Sequence, residues 1–166
     1  MKTLTTVLAI ALLALPACSK DDKDKKGSGK KGGGGGGAVT LATVTDATLG
    51  YSISIPKGAK TLQKDKMSGH TYSLPLPGGM LEYNIHITAM GAKDMASFVR
   101  MATMIGQKKI EKKEKTATGM LLVKAPRGVL QEVQFTTGGK LTVKCSGPAK
   151  GKALLVKMCS SLKATK

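Results

Sequence analysis

Tryptophan is absent from this chain, and five aromatic residues serve all 166 positions: Tyr51, Tyr72, Tyr83, Phe98 and Phe135. None is interleaved with a basic cluster, as a base-stacking platform requires, so no nucleic-acid partner is expected despite the excess of positive charge. Histidine is scarcer still, with His70 and His86 alone, and 10 acidic residues face 27 lysines and arginines. Such a chain has few ways to assemble acid-base or metal chemistry. The P-loop, H-E-x-x-H and G-x-S-x-G patterns are missing, and the acid-rich stretch is confined to Asp21-Asp22-Lys23-Asp24. The protein is therefore expected not to be an enzyme, with no cofactor and no metal ligands. Long apolar runs are missing too. Leu4 to Leu15 covers about a dozen residues, short of the roughly 20 that cross a bilayer as a helix.

What the chain does begin with is an export signal. Lys2 supplies the positive start, Leu4 to Leu15 the apolar centre, and Ala17 the small residue before a cut. Leu15-Pro16-Ala17-Cys18 resembles the bacterial lipobox, whose cysteine takes a diacylglyceryl group and becomes the mature N-terminus; Pro16 departs from the usual occupant of its slot. The alternative is a plain secretory signal with an incidental cysteine. The resemblance implies lipidation at Cys18 and a membrane anchor, because each buried lipid CH₂ contributes about 0.8 kcal/mol and stable anchoring takes more than one chain. Ser19, where aspartate would signal retention under the enterobacterial sorting pattern, implies the outer membrane, facing the periplasm or the cell surface. Residues 19–37 are Lys, Asp, Ser and Gly, ending in the glycine run Gly32 to Gly37. This composition buries too little apolar surface to offset chain entropy, so it reads as a disordered tether with an r.m.s. span of roughly 24 Å. Gly32, Gly34 and Gly37 match G-x-G-x-x-G only as a by-product of that low complexity. The expected organisation is a signal peptide at 1–17, lipidated Cys18 with its tether at 18–37, and one globular domain at 38–166.

Of the formal net charge of +17, +13 falls in residues 38–166, which hold 20 basic and 7 acidic residues. A domain this basic is drawn to anionic surfaces, although lysines that only keep a tethered domain soluble would give the same balance. The densest run sets Lys108, Lys109, Lys112, Lys113 and Lys115 against Glu111 and Glu114. It reads as a charged sheet edge or as an anion-binding face. With Cys18 assigned to lipid, Cys145 and Cys159 remain as an even pair in an oxidising compartment. Leu141, Val143 and Cys145 alternate as one face of a strand, and Leu154, Leu155, Met158, Cys159 and Leu162 form a helical stripe. Both thiols then face one core and are expected to form a disulfide; two reduced, buried cysteines are the alternative. The separation is not C-x-x-C, which argues against redox-active or zinc roles.

The remaining pattern is of strands with few helices. Tyr51-Ser52-Ile53-Ser54-Ile55-Pro56 alternates as a strand, and residues 70–90 read as a hairpin turning at Pro77-Gly78, with Leu74 opposite Leu81 and Tyr72 opposite Tyr83. In that register His70 lies on the apolar face near Ile85 while His86 points away, so the two imidazoles do not converge. Glu82, Asn84 and His86 share the polar face; a solvated strand is the plain reading, and a small-ligand face the functional one. Met95, Phe98, Val99, Ala102 and Ile105 recur at helical spacing after Asp94. Met120 to Val123 is a continuous apolar run suited to a strand covered on both sides, and Gly138-Gly139 marks a hairpin turn. The fold class is therefore α+β: a mostly antiparallel sheet covered by two helices, with an α/β/α sandwich as its fullest form. The "LGYSISIPKG" opening at 49–58, the middle helix and the strand-then-helix ending resemble the PsbP-like group of domains over most of 46–163. That resemblance implies a non-catalytic accessory or binding role and supplies no site residue. The leading expectation is an envelope lipoprotein that serves another envelope protein as a binding or assembly accessory. An anionic envelope polymer or lipid headgroup held by the lysine-rich face is the alternative, and a hydrolase built on Glu82 and His86 the third reading.

Overall fold

The computed structural model describes residues 39–104 and 109–165. The expected signal peptide, Cys18, the tether, Ile105 and Lys108 lie outside them. In chain order the elements are β1 (Leu41–Asp46), β2 (Tyr51–Pro56), β3 (Lys60–Asp65), β4 (Gly69–Pro75), β5 (Glu82–Thr88), α1 (Met95–Thr103), β6 (Ile110–Lys115), β7 (Met120–Lys124), β8 (Leu130–Thr137), β9 (Leu141–Pro148), α2 (Lys152–Ser160) and β10 (Lys163–Ala164). Two sheets result, ordered β1-β2-β10 and β3-β4-β5-β9-β8-β7-β6. Every strand pairing among the described residues is antiparallel. The α+β class is as expected, but the strands divide between two sheets, because β2 pairs with β1 and β10 and stays out of the large sheet.

Alternation sets the layers. Tyr72, Ile85, Ile87, Val133, Phe135, Val143 and Cys145 point to one face of the large sheet and are buried there with Tyr51, Ile53 and Ile55 of β2 and Leu155, Met158 and Cys159 of α2. Filling a side chain's place in such a core contributes roughly 1.5–3 kcal/mol for each large apolar residue. The opposite face carries α1 over β7, where Phe98 and Ala102 pack on Met120 and Leu122. β7 is buried along its whole length, as its unbroken apolar run requires. The α/β/α expectation is met with one change: the layer holding α2 also contains the three-stranded sheet. No helix among the described residues is long and apolar enough to cross a membrane.

Local chemistry explains the helix ends. Asp94 caps α1, accepting from the Ser97 amide at 2.7 Å. Pro148 does not open the last helix directly. It ends β9, and a short 3-10 turn, Ala149–Gly151, intervenes before α2.

The β4–β5 hairpin departs from the expected register. Leu74 lies opposite Tyr83, Tyr72 opposite Ile85 and His70 opposite Ile87. The turn is closed at Leu76 and Leu81, with the Leu76 amide donating to Leu81 O at 2.9 Å, and its strain is taken by Gly78 and Gly79 at φ 95° and 71°. A shift of two residues preserves the faces, so the apolar stripe survives where the pair assignments do not.

The expected disulfide is not formed: Cys145 and Cys159 are free, buried thiols. Cys159 Sγ donates to Val133 O at 3.3 Å. Burial, and then the hydrogen bond with Cys145, pushes the Cys159 thiol well above its ordinary range, so the thiolate that would attack a disulfide is suppressed.

Candidate functional site

The polar face of the large sheet gathers the sequence's best ligand candidates and more. Register places Ser73, Asn84, Ser146 and Glu132 in one row across β4, β5, β9 and β8, and Thr71, His86, Lys144 and Gln134 in the next. Glu82, at the start of β5, accepts from Ser73 Oγ at 2.6 Å and from Asn84 Nδ2 at 2.5 Å. These two donors hold its carboxyl below the usual range. His86 Nδ1 lies 2.9 Å from Thr71 Oγ1. Burial, and then the Lys144 ammonium, lowers its pKa, so the imidazole is neutral near pH 7. Further along, Lys124 reaches Glu132 at 2.7 Å and Ala102 O at 2.9 Å, pinning α1 to the sheet. Glu82 and Lys144 stay exposed because α1 sits over β7. Glu82, Asn84 and His86 are thus brought together, with Thr71, Ser73 and Lys144 as partners the sequence alone did not assign.

The lysine-rich run is an edge strand, β6, but not one basic face. Lys113 lies opposite Leu122 and Lys115 opposite Met120, on the α1 side. Lys112 lies opposite Val123, on the α2 side, and shares a cleft of ≈ 610 Å³ with Lys150 and Lys152. Two acidic residues consume part of the charge: Lys112 pairs with Glu114 at 2.5 Å, and Lys152 with Glu111 at 2.6 Å. Lys109 precedes the strand and is exposed. The lysines that were grouped by sequence are therefore split by the pleat between the two sides of the edge.

A buried polar cluster escaped the sequence reading altogether. Between the small sheet and β4, Tyr51 Oη lies 2.8 Å from His70 Nδ1 and 2.7 Å from Tyr72 Oη. Asp46 Oδ2 sits 3.8 Å from His70 Nδ1 and 2.6 Å from Lys64 Nζ. Burial pushes Asp46 up, but Lys64, the amides of Leu49 and Thr48 and the nearby His70 outweigh it and hold the carboxyl at about 2. Burial, aided by Tyr72, drives the Tyr51 hydroxyl far above the ordinary tyrosine range. Desolvation lowers the pKa of His70 despite Asp46. The cluster seals one sheet to the other. His70 lies on the apolar side and His86 on the polar one, so the two imidazoles do not meet, as the alternation implied.

No protein-family model matches the chain, and no curated protein matches it. Among solved structures it is similar to cyanobacterial PsbP (CyanoP) from Synechocystis sp. PCC 6803, at 14% identity, covering 81% of this chain and 98% of that one with a TM-score of 0.49. It is also similar to the Ran-binding protein Mog1p of Saccharomyces cerevisiae, at 9% identity, covering 78% of this chain and 97% of that one with a TM-score of 0.48. The first carries the PsbP name of the group that the opening, the middle helix and the strand-then-helix ending together resemble. Neither likeness transfers a residue or a role.

Proposed function

We propose that this chain is a lipid-anchored envelope protein whose domain serves another envelope protein as a non-catalytic binding or assembly accessory. The observation that carries this reading is the polar sheet face: Glu82 and His86 are both engaged by neighbours, Glu82 by Ser73 and Asn84 and His86 by Thr71. A carboxylate held down in pKa is a weak general base, and an imidazole tied to a threonine offers a fixed hydrogen bond. Groups held in this way suit recognition better than proton transfer. The lipobox-like Leu15-Pro16-Ala17-Cys18 and the glycine run behind it support placement at a membrane with room to reorient.

The test is crosslinking of the native protein in intact cells, with captured species identified by mass spectrometry. A dominant protein partner, whose yield falls about threefold or more when Glu82 and His86 are both changed to Gln, supports the reading. Capture that ignores those changes overturns it.

The second reading, binding of an anionic envelope polymer, is favoured by the cleft bearing Lys112, Lys150 and Lys152. It predicts affinity that falls steeply between low and physiological salt, and a weaker response to changes at Lys113 and Lys115 than at Lys150.

A further inference from the structure

Three connections meet at one end of the large sheet: the hairpin turn 76–81, the loop 125–129, and the step from Pro148 into the 3-10 turn. Register brings them together, with Pro75 opposite Glu82 and Leu130 opposite Pro148. Ala149 N then ties the last two by donating to Val129 O at 2.7 Å. On this end Met80 is 92% exposed, Val129 65% and Leu130 46%. Leu76, Pro77, Met80, Leu81 and Val129 wall a cleft of ≈ 480 Å³, and a second of ≈ 460 Å³ continues from Leu81 and Val129 to Pro148. Arg127 and Lys150 line the adjoining surface. Clustered apolar side chains at turn tips, with Arg127 and Lys150 beside them and an exposed carboxylate, Glu82, following Leu81, match the boundary between acyl chains and anionic headgroups.

The entry point of the chain lies on the same side. Lys57 N donates to Thr40 O at 2.8 Å, and Ala59 N to Pro56 O at 3.1 Å, in the turn that leads to Lys60. Lys60 lies opposite Ser73, toward the hairpin tip. The described chain thus begins at the edge of the apolar end, and Cys18 stands about 20 residues upstream of it.

We propose that this end docks on an anionic bilayer, with Met80, Leu81 and Val129 entering the headgroup boundary and Arg127, Lys150 and Lys57 meeting lipid phosphates. Two features commit the surface to lipid: the charge complementarity of its rim, and the side on which the chain arrives. The choice of which membrane rests on the Cys18 reading above; the affinity of the surface does not. Exposed apolar residues at the other end of the sheet serve as an internal comparison, since Met67, 96% exposed, sits in the β3–β4 turn.

The experiment uses residues 19–166, which retain both hydrophobic clusters and every strand pairing described. Sedimentation with vesicles of phosphatidylglycerol and phosphatidylethanolamine is compared with pure phosphatidylcholine. Expected are binding to the anionic vesicles, about a tenfold or greater loss in the double variant Met80→Glu, Val129→Glu, about a fivefold loss in Arg127→Gln, and a change within about twofold in Met67→Glu. As a second readout, a polarity-sensitive dye on Met80→Cys shifts to the blue with anionic vesicles while one on Met67→Cys does not; the buried Cys145 and Cys159 leave the labelling selective. Absence of vesicle binding, insensitivity to the double variant, or equal loss in Met67→Glu overturns the proposal. So does a Met80 crosslink in cells that reaches a protein partner while vesicles are ignored. Mass spectrometry of the native N-terminus reports lipidation of Cys18 separately, so failure of the anchor and failure of the surface are distinct results.

Discussion

Asp46, His70, Tyr51 and Tyr72 show how four polar side chains can hold two sheets together. His70 is wholly buried, and its folded pKa lies below the ordinary value because desolvation disfavours the imidazolium. As pH falls below about 6.5 the unfolded chain therefore takes up a proton at His70 that the folded chain refuses, and stability declines. His86 acts in the same direction. Asp46 adds a second loss at lower pH, as its carboxyl, held at about 2 when folded, titrates from the unfolded value of 3.8 downward. Urea midpoints at about pH 7.5, 5.5 and 3 should fall stepwise. His70→Gln should shrink the first step to the part owed to His86 and leave the second. An unchanged first step in that variant would assign it elsewhere. Gly69 makes a separate prediction. With φ at 90° and the backbone of Ile87 against the place of a Cβ, Gly69→Ala should destabilise the fold by about 2 kcal/mol or more, read as a lowered melting temperature.

At the scale of elements, periodicity reveals faces but not partners. Tyr51, Ile53 and Ile55 announced a strand with one buried side, and β2 has it. Nothing in those residues told which strand lies beside them, since pairing is decided by how the chain folds back and not by alternation. The same limit moved the β4–β5 register by two residues, because Pro77 and Gly78 suggested a tight turn while the closing pair lies at Leu76 and Leu81. β3 was missed because all six of its residues are exposed and carry no apolar rhythm. The polar row Glu82, Asn84 and His86 was legible; its cross-strand partners Thr71, Ser73 and Lys144 were not, being fixed only by register. The charged edge was also legible. β6 closes one side of the large sheet, where lysines deter pairing with another chain. Changing Lys112, Lys113 and Lys115 to Gln should alter stability by only about 0.5 kcal/mol while light scattering of the concentrated protein rises. Asp94→Ala, by removing the cap of α1, should cost about 1 kcal/mol.

The whole molecule joins its first strands to its last residues. β10 pairs with β2, placing Lys163 opposite Ser52 and Ala164 opposite Tyr51, and Thr165 N donates to Gly50 O at 2.8 Å. Just before it, Ser161 Oγ accepts from the Ser54 amide at 2.8 Å. Leu155, Met158, Cys159 and Leu162 supply one wall of the main core. A chain stopped at Gly151 should therefore show no cooperative thermal transition by circular dichroism, whereas removal of Thr165 and Lys166 alone should leave one. Synthesis of this chain in order leaves the sheet with an open apolar face until α2 arrives. Folding is then timed by the arrival of residues 152–162, and every earlier segment waits in a state that is still easily pulled straight.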